Sequence, residues 1–103
     1  MAAVVAERLK MKELLIDWAQ LSNKRDFYAS LLVQMQAPSW HGRNLDALHD
    51  SWVTGGICSS GPPYSFAVRN ESAVPGEMEE FARSVLEIAG ESVREHGGSV
   101  RRS

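Results

Sequence analysis

A chain of 103 residues, 44% hydrophobic and 23% charged, has the size and composition of one folded soluble domain, which argues against a disordered chain and leaves little room for a second domain. Its one cysteine, Cys58, has no partner for an intrachain disulfide and fits a reducing, cytoplasmic compartment, and no apolar run approaches the roughly 18 residues of a membrane helix. The net charge of −2 conceals an asymmetry: residues 44–96 carry nine acidic side chains against three basic ones (Arg69, Arg83 and Arg94), which repels phosphate backbones and suits a basic partner, a solvated acidic face being the plain alternative.

Residues 1–11 read as an extension ahead of a single domain at 12–103. Met1–Leu9 is rich in Ala and Val, but Glu7 and Arg8 interrupt it and no cleavage pattern follows, so no signal peptide is expected. Lys12–Trp18 is ambiguous. Leu14, Ile16 and Trp18 alternate as in a strand, yet the surrounding residues are good helix formers. Ser22–Gln36 reads as a helix with Ser22 or Asn23 as its cap and Asp26 near its positive end. Phe27, Leu31 and Met35 form its apolar stripe, and Pro38 closes the segment by disfavouring helix at Ala37.

After a short loop at Ser39–Arg43, Asn44 is a good cap for a second helix, Leu45–Val53, which Thr54-Gly55-Gly56 ends. Ile57–Pro63 is a Gly/Ser/Pro loop. Tyr64–Arg69 alternates as a strand with Tyr64, Phe66 and Val68 on one side. Pro75 suits a helix start, and Glu77–His96 reads as a long amphipathic helix whose stripe runs through Met78, Phe81, Val85, Leu86, Ala89 and Val93. Ser99–Ser103 offers a short edge strand with Val100 as its one apolar residue. This order implies an α/β domain with a small, mostly parallel sheet and right-handed crossovers.

The segment Asn44–Val53 carries most of the chemical information. With residues placed about every 100° around a helix axis, Leu45, Leu48 and Trp52 share an arc that can enter the core. Asp46, His49, Asp50 and Val53 share the neighbouring arc, with the two aspartates four apart on one face. That pair repels slightly, and Asp50 lies beyond the turn where the helix dipole favours an acid. A like-charge pair that local stability does not require points to an external cation, although short helices also carry two acids on a wet face.

The run Pro38-Ser39-Trp40-His41-Gly42-Arg43-Asn44-Leu45-Asp46-Ala47-Leu48-His49-Asp50 resembles the hallmark segment of the barstar family. The family pattern has a proline, an aromatic pair before glycine, a variable residue, then Asn, Leu or Trp, Asp, Ala, Leu, an aromatic and Asp. The elements before and after the run come in the family's order, roughly over residues 12–100, and Ser84-Val85-Leu86 resembles part of its last helix. The resemblance implies a barstar-like α/β fold, a three-stranded, mostly parallel sheet packed with three to four helices, and it tips Lys12–Trp18 towards strand. It also implies a proteinaceous inhibitor or immunity protein, monomeric and bound 1:1, whose loop 39–43 and acidic helix 44–53 enter the basic active-site cleft of a microbial ribonuclease or ribonuclease toxin. No cofactor, metal, nucleic acid or membrane is implied.

Carried over residue by residue, Asp50 sits at the centre of that contact and Asp46 supports it. Trp40 takes the place of a tyrosine against the enzyme, with the lid of the core as its other reading, and His41 is the second member of the aromatic pair. His49 stands where the family favours an aromatic packed in the interface, and Val53 adjoins it. Gly42 permits a tight entry into the helix and Asn44 caps it. Glu91 is a candidate peripheral contact through the Ser84-Val85-Leu86 match, a solvated helix glutamate being the alternative. A titratable, smaller His49 departs from the family pattern and puts the identity of the partner in question.

An enzyme is the main rival class. Asp46, His49 and Asp50, with His41 joining from the loop, are conceivable acid–base or metal-binding groups, but the first three supply too few ligands alone, and no nucleophile elbow, phosphate loop or paired-cysteine site accompanies them. A nucleic-acid module is disfavoured because Arg8, Lys10, Lys12, Arg101 and Arg102 lie at the ends without interleaved aromatics. The more serious alternative is a barstar-fold binding or immunity protein directed at a target other than a ribonuclease.

Overall fold

The computed structural model describes residues 12–55 and 62–103. The expected extension at 1–11, Cys58 and most of the loop Ile57–Pro63 lie outside the described residues. Strand β1 spans Lys12–Asp17 and runs into a 3-10 turn at Trp18–Gln20. Helix α1 is Lys24–Gln34, and α2 is Leu45–His49, continued by a turn of π-helix at Asp50–Thr54. Strand β2 (Tyr64–Arg69), helix α3 (Glu79–His96) and strand β3 (Gly98–Arg102) complete the order.

The three strands form one parallel sheet in the order β1-β2-β3. Alternation decides the fate of Lys12–Asp17: Leu14 and Ile16 are fully buried, whereas Leu15 between them is 41% exposed. Leu14, Ile16, Tyr64, Phe66 and Val68 belong to one core with Phe27 and Leu31 of α1, Leu48 of α2 and Val85 and Ala89 of α3. The helices therefore pack on one face of the sheet. Parallel sheets usually need cover on both faces; here the other face is largely polar instead, with Ser65 bonded to Ser99 at 3.0 Å and Arg101 reaching Glu13 at 2.7 Å.

The outer edge of β1 is closed by a side chain. Leu15 N–H donates to Gln34 Oε1 at 2.7 Å, and Gln34 Nε2 donates back to the Leu15 carbonyl at 2.9 Å. One amide thus occupies the place of a neighbouring strand, where an open edge would template pairing with another chain.

Helix α1 starts as its sequence predicts, with Asn23 Oδ1 accepting from Asp26 N–H at 2.8 Å. It stops earlier than Pro38 would demand. Gln36 adopts a left-handed φ of 55°, its N–H donates to the Val33 carbonyl, and Ala37 N–H donates to the Leu32 carbonyl. This is a Schellman closure with glutamine in the usual glycine position. Helix α3 begins two residues later than expected, behind a 3-10 turn at Gly76–Met78. Its stripe is buried at Met78, Phe81, Val85 and Ala89, with Leu86 and Val93 packed partly against the core.

Candidate functional site

The acidic segment is helical throughout, but it is not one α-helix. Asn44 Oδ1 caps it by accepting from Ala47 N–H at 2.8 Å. The α-helical pattern holds through His49, and Asp50 N–H still donates to the Asp46 carbonyl. From Asp50 the coil widens to π, and Gly55 N–H closes it on the Asp50 carbonyl at 2.7 Å with φ 83° at the glycine. Such widened turns recur at functional sites. The bond between Asp50 and Asp46 sets the two aspartates one α-turn apart on the same side. Both side chains are exposed, and among the described residues neither has a hydrogen bond or ion pair.

The inner side of the segment holds it rigidly. Leu48 and Trp52 are fully buried. The Trp52 indole stands 4.7 Å from the Phe66 ring, and its Nε1–H donates to Met35 Sδ at 3.3 Å. Truncating a buried leucine of this kind costs about 2–5 kcal/mol, which measures how firmly the acids are seated. His96 from the end of α3 donates to the Val53 carbonyl, pinning the far end of the π turn, while the Val53 side chain stays half-buried.

The approach loop is fixed from below. A Cβ at Gly42 would meet the Ala47 Cβ at 3.1 Å and Asn44 Nδ2 at the same distance, so only glycine enters the helix this closely without displacing the cap. His41 departs from the expectation that it faces a partner: its residue is 6% exposed. The Gly42 carbonyl can only accept, so His41 Nδ1–H donates to it at 2.7 Å, and Nε2 is hydrogen-bonded to the Ser51 hydroxyl at 2.5 Å. The ring therefore ties the loop to the π turn and is not gathered with Asp46, His49 and Asp50 as a ligand set. Ser51, 1% exposed, carries no sequence pattern that would have singled it out. Trp40 points the other way, 72% exposed, and is not a lid on the core.

Helix α3 brings the remaining candidate to the acidic face. His49 Nε2–H donates to Glu91 Oε2 at 2.6 Å, with both side chains nearly half exposed. The site is thus an exposed indole, two carboxylates one turn apart that are unpaired among the described residues, and a histidine–glutamate pair beside them. Aromatic side chains exposed on a rigid loop are frequent binding anchors, and adjacent acids attract and orient a basic surface.

No helix among the described residues is long and apolar enough to cross a membrane. A family model described as barstar, the barnase inhibitor, matches residues 11–101. No curated protein matches the chain.

Proposed function

The chain belongs to the barstar family, and on that premise we propose that it inhibits a microbial ribonuclease or a ribonuclease-type toxin by seating Asp46 and Asp50 in the enzyme's basic active-site cleft. The observation that carries this reading is the presence of two exposed carboxylates one turn apart, with no ion pair among the described residues, on a helix whose inner side is locked into the core. An RNA-cleaving site is lined with cations that hold phosphate. Two carboxylates on a rigid coil offer those cations negative oxygens at fixed spacing without a bond to cleave, and the chain acts by occupancy, not by chemistry.

In this reading Trp40 covers the rim of the cleft, while Gly42 and Asn44 present the helix, and His41 positions the loop from within. Glu91 adds a third carboxylate at the edge. The complex is 1:1 and forms in the cytoplasm, where Cys58 stays reduced. No metal or cofactor takes part.

The test is inhibition of purified secreted and toxin-borne ribonucleases of the barnase type. One of them should lose activity at an equimolar ratio of the chain. Asp50→Ala should keep its fold by circular dichroism and lose most of its inhibition, because removing one partner of a buried ion pair costs about 3–5 kcal/mol. Full inhibition by Asp50→Ala, or tight capture of a target with no ribonuclease activity, would overturn the reading.

A further inference from the structure

Next to the acidic face lies a cleft of opposite sign. It encloses about 530 Å³ between the start of α1, the entry to α2 and the start of α3. Lys24, Arg25 and Arg43 stand around it, Tyr28, Phe81 and Leu45 form its apolar wall, and Asn44 and Asp46 join it to the acidic helix.

Three features mark the cleft as more than a gap between helices. The first is uncompensated charge. Lys24, Arg25 and Arg43 are all exposed, and among the described residues none forms an ion pair, whereas Arg101 and Arg102 are paired with Glu13 and Glu71. The second is placement. Lys24 and Arg25 occupy the first turn of α1, the positive end of its dipole, where cations cost stability and Asp26 is the one acid present. Lys24 is steadied over the Phe81 ring, 5.4 Å from its centroid. The third is a buried polar side chain. Tyr28 is 4% exposed as a residue and lines the cleft, and its hydroxyl, which is not sealed from water, forms no hydrogen bond among the described residues. Burial raises its pKa to about 12, so it remains a neutral donor at physiological pH.

We infer that this cleft is a second docking subsite, which receives an acidic side chain and an adjoining apolar side chain from a loop of the same enzyme that α2 inhibits. The inference rests on the inhibitor reading above and extends it to a bipolar interface. Asp46 borders both halves, so a partner seated on α2 overhangs the cleft. Its surface must be basic opposite Asp46 and Asp50 and acidic opposite Lys24, Arg25 and Arg43. An enzyme whose basic region continued past its active site would meet three cations and be rejected. The cleft thereby selects among ribonucleases that share the same catalytic cations.

Charge reversal separates this from a surface that contributes only net charge. The double variant Arg25→Glu/Arg43→Glu makes the chain more acidic. If the cleft were idle, a basic enzyme would associate with it faster and at least as tightly. An acid seated in the cleft instead predicts a Kd raised about tenfold or more, since like charges across an interface are strongly unfavourable. Tyr28→Phe, which leaves the charge unchanged, should raise Kd about threefold or more through the lost hydrogen bond. Both variants should retain the circular dichroism spectrum of the parent. The experiment measures them beside Asp50→Ala against the inhibited ribonuclease. If Asp50→Ala loses inhibition while the double variant binds as tightly as the parent or more tightly, the subsite is wrong and the inhibitor reading stands. If no ribonuclease is inhibited, both fall.

Discussion

His49 and Glu91 are 42 residues apart in the chain, yet their side chains meet at 2.6 Å on the rim of the acidic face. The pair makes little difference to folding, because a half-exposed side-chain pair is worth about 1 kcal/mol or less even when both partners are charged. Its effect on binding is larger in principle, since a carboxylate engaged by His49 is withheld from a cationic partner. His49→Gln should therefore tighten binding to the inhibited ribonuclease by about two- to fivefold, and Glu91→Gln should weaken it. Calorimetric titration of both single variants and the double variant measures the coupling. Weaker binding by His49→Gln would mean that the imidazole itself contacts the enzyme.

His41 and Ser51 set the stability of the approach loop. Ser51→Ala removes the hydroxyl that meets His41 Nε2 at 2.5 Å and leaves a buried ring nitrogen without that partner. The expected loss is about 1–3 kcal/mol in urea denaturation. Because Trp40 sits next to His41 but points outward, its fluorescence in the folded protein reports whether the loop has loosened. An unchanged unfolding midpoint would show that the hydrogen bond contributes nothing.

Gln34 covers the backbone of Leu15 at the edge of the sheet. Gln34→Ala removes both hydrogen bonds to Leu15 and opens the edge of β1. Stability should fall by about 1–2 kcal/mol, and light scattering should show more concentration-dependent self-association than the parent shows. Gln34→Glu keeps the acceptor for Leu15 N–H but loses the donor, and should fall between the two.

The parts of this fold that are legible in the sequence are those written in hydrophobic period. Tyr64, Phe66 and Val68 are buried as the alternation predicts, although Ala67 between them is buried too, and Phe81, Val85 and Ala89 of α3, with Met78 just before it, are buried as read. The Asp46–Asp50 spacing likewise survives, because the α-helical bond between them is intact. What escapes the sequence depends on tertiary fit. Trp52 enters the core as its helical spacing predicts, but the π turn at Asp50–Thr54 also brings Ser51 to His41, and no local pattern specifies that meeting. His41 reads as an interface aromatic until its burial is seen. The cationic cleft is invisible because Lys24 and Arg25 lie far along the chain from Arg43 and meet it only through the packing of α1 against α2 and α3.

Alkaline stability should bear the mark of Tyr28. Its pKa rises from 10.0 to about 12 on folding because burial penalises the phenolate. The folded state then holds the proton more tightly than the unfolded one, so the contribution to stability is whole below pH 10 and is lost as pH rises towards 12. In denaturant midpoints measured across that interval, Tyr28→Phe should decline less steeply than the parent. Parallel declines would place the phenol in contact with water.

Two glycines near the C-terminus should respond in opposite directions to alanine. Gly98 opens β3 with φ 100°, and a Cβ there would overlap the Tyr64 carbonyl oxygen, part of the backbone of the central strand. Neither the angle nor the space can relax without breaking the register of β3 on β2. Gly98→Ala should therefore destabilise the protein by about 3 kcal/mol or more, the range of overpacking with added backbone strain. Gly90 lies inside α3, has no left-handed angle, and would meet only the flexible end of Arg94 at 3.6 Å. There alanine relieves the entropic cost of glycine in a helix, and Gly90→Ala should stabilise by about 0.5–1 kcal/mol. Thermal unfolding of the two variants settles both points. A stable Gly98→Ala would show that β3 is dispensable, so that the two-stranded pairing of β1 and β2 under the helices suffices to hold the acidic coil in place.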